Sequence, residues 1–129
     1  MTEEFVTLET AKLLKEKGFK EDVFTFYEVD CVEGDMILSE TYDESENFNE
    51  KNDCLSAPTQ SLAQKWLRET KNIHICVYNC ACGYGYEISK ADNGTHITSS
   101  VYEGTNDGGE WDTYEEVLET GLQEALKLI

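Results

Sequence analysis

The stretch from Leu55 to Tyr78 constrains this chain most, because a helical period there gives way to a strand period at Asn72. Leu55, Thr59, Leu62, Ala63, Trp66, Leu67 and Thr70 recur at spacings of three and four, which draws an apolar stripe down one side of a helix. Gln60, Ser61, Gln64, Lys65, Arg68 and Lys71 fall outside that stripe. Ser56 is placed to accept from a free N–H at the helix start, and Pro58 suits the first turn, where no donor is needed. Asn72 can take the left-handed conformation that stops a helix. Ile73, Ile75 and Val77 then alternate with His74, Cys76 and Tyr78, the two-residue period of a strand. Trp66 is the natural anchor of this helix, since aromatic side chains bury the most area.

The remaining elements can be arranged around that unit. Thr7 caps a helix over 8–17, ended by Gly18, with Phe19 folding back as the apolar contact of the cap. Residues 23–29 are rich in β-branched and aromatic side chains and read as a strand. Glu33, Gly34 and Asp35 turn the chain, and Met36, Ile37 and Leu38 on to Tyr42 return as the hairpin partner. Residues 43–54 are acidic, with Phe48 as their one large apolar group, and read as a long exposed loop. Beyond the central strand, residues 79–83 form a turn, and Tyr84, Tyr86 and Ile88 alternate along the next strand. Asp92, Asn93 and Gly94 signal a hairpin leading to a strand over 96–102, and residues 104–110 are a Gly/Asn/Asp loop. Thr113 and Glu116 make a capping box for a last helix with Tyr114, Leu118, Gly121, Leu122, Ala125, Leu126 and Ile129 on its inner face. Gly121 implies close approach of another backbone there. The order is α-β-β-α-β-β-β-α. It predicts a single α+β domain over 1–129, with three helices packed on a mostly antiparallel sheet of about five strands.

Charge narrows the partners. The 129 residues hold 27 Asp and Glu against 10 Lys and Arg, a formal net charge of −17. Such a field repels nucleic acid and anionic membranes and permits basic partners. No apolar run approaches the roughly 18 residues that cross a bilayer. The N-terminal Met-Thr-Glu-Glu-Phe has no apolar secretory core, so the expectation is a cytoplasmic protein without a signal peptide. Five cysteines without an export signal are expected as reduced thiols rather than as a disulfide framework.

Candidate chemistry is sparse. Cys76, Cys80 and Cys82 crowd one strand and its turn near His74, and His74 and Cys76 share a face of that strand. Structural zinc needs four ligands at paired spacings, which these do not make. A cysteine nucleophile would need a nearby cation, histidine or helix N-terminus, and His74 and His96 are the two histidines available. Gly83-Tyr84-Gly85-Tyr86 lacks the features of a phosphate loop, and neither 43–54 nor 106–110 matches a calcium loop. No catalytic residue, metal ligand or cofactor is therefore assigned. The surface candidates are the basic strip Lys65, Arg68 and Lys71 on the central helix, and the aromatic residues Tyr84, Tyr86 and Trp111.

Three segments carry a resemblance: Ala11 to Phe19, Ser56 to Glu69, and Thr113 to Ile129. They resemble a family of small acidic proteins encoded by gut anaerobic bacteria, their mobile elements and their phages. That family has no assigned activity or catalytic residues, so the resemblance implies an accessory or phage-derived protein and carries no site. Residues 31–53 and the cysteine-rich turn do not match its pattern. Three functions are expected from these observations. The first is a non-enzymatic protein that binds an unidentified protein partner, which the charge permits but does not require to be basic, with no direct nucleic-acid or membrane contact. One version of it is an acidic nucleic-acid mimic. The second is a small enzyme or metal protein using Cys76, Cys80, Cys82 and His74, and the third is an oligomer subunit that pairs edge strands.

Overall fold

Two short turns of sequence set the ends of the first helix. Thr7 Oγ1 accepts from Thr10 N, and α1 runs from Leu8 to Glu16 with Thr10, Ala11 and Leu14 buried. Gly18 takes φ +93°, and Phe19 N returns to Leu14 O at 2.9 Å, so the apolar contact of the cap forms as the pattern predicts. Lys15 lies half-buried and sends its ammonium past the helix to the carbonyls of Lys51 and Cys54, at 2.8 and 3.0 Å.

A computed structural model describes residues 3–29, 32–103 and 109–129 of the chain. Cys31 and residues 104–108, most of the expected Gly/Asn/Asp loop, lie outside the described residues. The α+β class and the three helices are as predicted, but the single sheet is not. Among the described residues six strands form two three-stranded antiparallel sheets. Contacts divide the chain into two compact units, residues 1–61 and 62–129.

The first unit is built on β1, Thr25–Val29, which lies between β2, Met36–Glu40, and β3, Cys54–Ser56. β3 is the strand absent from the sequence reading. Ser56 and Pro58 look like a helix start, yet Ser56 faces Phe26 across the ladder and its N–H is held by Asn49 Oδ1 at 2.9 Å. The helix start is supplied differently. Val6 N donates to Pro58 O, and Glu4 O accepts from Gln60 N at 2.9 Å, so the N-terminal segment satisfies a first-turn donor that no side-chain cap serves. Tyr27 then hydrogen-bonds Val6 O at 2.8 Å and ties that segment to β1.

The acidic stretch 43–54 is not an exposed loop. Glu46 pairs with Val23 through both backbone bonds, and Phe48–Glu50 forms a 3-10 turn. Phe48 is 3% exposed and stacks on Phe26 with ring centroids 4.1 Å apart. Asn49 spans two segments, donating Nδ2 to Phe19 O at 2.8 Å while its Oδ1 holds Ser56 N. The carboxylates stay at the surface, and the one apolar ring with its neighbouring amide goes inward.

The second unit receives the chain from α2, Gln60–Lys71, whose Ala63, Trp66 and Leu67 are buried. Asn72 stops it at φ 58°, its side chain accepting from Asp92 N at 2.8 Å. β4, Ile73–Cys80, turns through Ala81 and Cys82 into β5, Gly83–Lys90, and β6, His96–Ser99, pairs on the other side of β5. β6 ends at Ser99, short of the predicted 102, because Ser100 turns in a 3-10 helix and its Oγ takes Tyr86 N at 3.0 Å. α3, Tyr114–Lys127, packs on β4 and β5, capped by Thr113 Oγ1 on Glu116 N. A Cβ on Gly121 would lie 3.0 Å from Ile75 Cγ2 and 3.5 Å from Tyr86 Cγ. The close approach predicted at Gly121 is thus to two side chains, not to a backbone. No helix among the described residues is long and apolar enough to cross a membrane.

Candidate interaction surface

The residues singled out by sequence all fall in the second unit. Lys65 and Lys71 are exposed and Arg68 is half-buried. Lys71 Nζ sits 5.5 Å from the Trp66 ring centroid, so one cation of the strip already rests on the helix's own anchor. Tyr84 and Trp111 are half-buried and exchange backbone hydrogen bonds, Tyr84 N to Trp111 O at 2.8 Å and Trp111 N to Tyr84 O at 3.3 Å. Tyr86 is 1% exposed, with its ring 5.8 Å from that of Trp111, and belongs to the core rather than to any surface.

His74, Cys76, Cys80 and His96 are spread along the β4-β5-β6 sheet, with Cys82 in the turn after β4 and Cys54 on β3 of the other sheet. Register puts His74 opposite Ser89 and Cys76 opposite Glu87, while His96 lies across β5 from β4. His96 Nδ1 is 3.5 Å from Glu87 Oε1. Among the described residues no group of three or more His, Cys, Asp or Glu side chains converges as a metal site. Cys80 donates to Gly83 O at 3.3 Å, and a Cβ on Gly109 would come within 2.5 Å of its sulfur, so this thiol is wedged against the backbone.

Thiol environments differ enough to be read by labelling. Cys54 is buried, and burial foremost, then the Asp53 carboxylate, pushes its pKa up; Cys76 and Cys82 are exposed. Alkylation at neutral pH should therefore modify Cys76 and Cys82 first and Cys54 last, as peptide mass spectrometry would show. Equal rates at Cys54 and Cys76 would contradict the packing around β3. The sign also fixes a pH effect. A thiol whose folded pKa is raised stabilises the fold below the ordinary thiol range, and that contribution is lost as pH rises through it.

The first unit offers what sequence reasoning passed over. Phe5, Phe24, Val29, Val32, Ile37, Leu38 and Tyr42 are all exposed there, against four such residues described in the second unit. Scattered exposed apolar side chains are ordinary, whereas a contiguous patch is informative. Here they gather. A hollow of about 580 Å³ beside β2 is lined by Leu38, Ser39 and Glu40 of that strand, Thr25, Phe26 and Glu28 of β1, and Phe5 and Tyr42. A second hollow of about 260 Å³, lined by Phe24, Val23, Pro58 and Thr59, shares Phe5, Thr25 and Glu40 with the first. Ser39 Oγ donates to Glu28 Oε1 at 2.8 Å and fixes one carboxylate at the wall. The signal was present in the sequence. Met36, Ile37 and Leu38 are three apolar residues in a row, and a strand cannot turn all three to one core.

Charge gathers in the same place. Residues 1–61 hold 16 Asp and Glu against 5 Lys and Arg, a net −11, and residues 62–129 hold 11 against 5, a net −6. The larger hollow is thus a mixed polar and apolar surface in the more acidic unit, with Glu28 and Glu40 in its walls. Comparison with known proteins adds no name to this surface: no protein-family model, no curated protein and no solved structure matches the chain.

Proposed function

We infer that this is a non-enzymatic accessory protein that binds a basic protein partner. The observation that carries the reading is the coincidence in residues 1–61 of a net −11 with exposed apolar side chains, Phe5, Phe24, Leu38 and Tyr42, that line two hollows. With 27 carboxylates and 10 cationic side chains, one-to-one pairing leaves 17 carboxylates without a cation, and these are available to an external one. Long-range attraction between such a surface and a cationic protein speeds encounter, and the smaller, apolar hollow around Phe5 and Phe24 supplies contact that outlasts it. The natural targets are proteins whose cationic surface otherwise holds phosphate. In that case the acidic unit acts as a nucleic-acid mimic, and the resemblance of the three helical segments to proteins of phages and mobile elements supports such an origin.

Capture on immobilised protein from a bacterial lysate tests the reading. Basic nucleic-acid-binding proteins should be retained at low salt, and they should be released both by high salt and by added duplex DNA. If what is retained is not basic, or nothing is retained at low salt, the reading fails. Retention that survives both salt and DNA would remove the mimic and leave an apolar interface.

A further inference from the structure

We propose, building on that reading, that the outer edge of β2 receives an extended basic segment of the partner as an added strand. β2 is the outermost strand of its sheet among the described residues, in the order β2-β1-β3. Its hydrogen-bonding directions follow from register. Thr41 N donates to Phe24 O, and antiparallel ladders alternate, so the backbone groups of Ser39 and Ile37 point to Phe26 and Glu28 of β1. Those of Met36, Leu38 and Glu40 therefore point away from β1, toward the open edge. The opposite side of β1 repeats the alternation, since Ala57 N donates to Thr25 O.

An exposed strand edge usually carries devices that block pairing: a lysine, a proline or a bulge. β2 reads Met-Ile-Leu-Ser-Glu, with none of these, and its register to β1 is unbroken over five residues. Leu38 is 46% exposed and Ile37 41% exposed, one on each face of the strand. What the edge does have is negative charge, which repels a second copy of this chain and attracts a cationic segment. An added strand of alternating character would lay its apolar residues on the face of Leu38, toward Phe5 and Tyr42. On the other face its cations would meet the Glu28 carboxylate that Ser39 already orients. Backbone bonds hold the segment, and the alternation of apolar and basic residues selects it.

The probe is a short synthetic peptide of alternating lysine and valine. Its control has the same charge but proline at every second position, which removes the donors an added strand needs. Amide spectra of the full chain should show Leu38 and Glu40 becoming protected from exchange on adding the first peptide, with Ile37 and Ser39 unchanged. Leu38→Pro removes an N–H that faces the open edge, a position where proline is tolerated, and should weaken binding about tenfold or more. Leu38→Ala should weaken it less, and Glu28→Gln should reduce its salt dependence. Equal binding of the proline control, or of the Leu38→Pro protein, would overturn strand addition while leaving capture of basic proteins standing. Failure of both peptides to bind at low salt would overturn both. A wild-type dimer that Leu38→Pro converts to monomer would show a second copy at the edge instead. Should Leu38→Pro fail to fold, the protection pattern of the wild-type amides decides.

Discussion

Replacing Tyr86 with alanine should destabilise the second unit by about 4 kcal/mol, within the range for truncating a buried aromatic. Tyr86 is among the largest fully buried side chains described and stands where three parts of the unit meet. Its ring lies 5.8 Å from that of Trp111 and 3.5 Å from where a Gly121 Cβ would stand, and its backbone N–H and carbonyl are both held by Ser100 Oγ. A cavity there cannot be refilled cheaply. Gly121 presents only backbone, and Trp111 is fixed through its own bonds to Tyr84. Both tryptophans of the chain, Trp66 and Trp111, lie in this unit, so denaturant unfolding followed by tryptophan fluorescence reports on it directly. Tyr86→Phe keeps the ring and should cost no more than about 1.5 kcal/mol. A loss below about 1 kcal/mol for Tyr86→Ala would mean the ring is a surface group, the alternative to a core role that the sequence left open.

Tyr86 also shows where sequence stops being legible. Alternation placed it on the same face as Tyr84 and Ile88, which is correct, but alternation cannot say which face is covered. That depends on α3, some thirty positions away, and on the glycine that lets it come close. Local signals fared well because their causes are local. Thr7, Gly18, Asn72 and Thr113 terminate helices through contacts within a few residues, and each does so in the structure. The signals that misled were local ones overruled at a distance. Ser56 and Pro58 have the chemistry of a helix start, yet Phe26 recruits Ser56 into a ladder and Glu4 serves the first turn of α2. The division of strands into two sheets is of the same kind, since a strand's own pattern does not name its neighbour.

The site follows that logic. Cations stand out in an acidic sequence, so Lys65, Arg68 and Lys71 drew attention, although Lys71 already lies over Trp66. Leu38 and Tyr42 did not, because the sequence treats β2 as an ordinary hairpin partner. Only the sheet order reveals that β2 is outermost and that its apolar run is uncovered.

Phe48→Ala is the second large effect expected, a loss of about 3–5 kcal/mol in the first unit. An exposed acidic loop and the packed turn seen here predict different results. Were residues 43–54 an exposed loop, truncating their one aromatic ring would change stability by no more than about 0.5 kcal/mol. In the structure the ring is nearly parallel to Phe26, at 21°, and lies under the Lys51 ammonium, 5.3 Å from its centroid. Its neighbours Asn47 and Asn49 cannot fill the void, since Asn47 caps the turn and Asn49 bridges Phe19 and Ser56. Removing the ring leaves a hole beneath β1 that polar groups would have to break bonds to enter. Exchange protection at Phe26 and Ser56, which face each other across β1 and β3, is the readout, because this unit has no tryptophan. Phe48→Leu should recover most of it by restoring apolar volume. Since β1 carries β2, loss of protection should extend to Ile37 and Ser39, whose backbone groups bond to β1. The uncovered edge of β2 thus depends on an aromatic ring drawn from an acidic stretch of the chain.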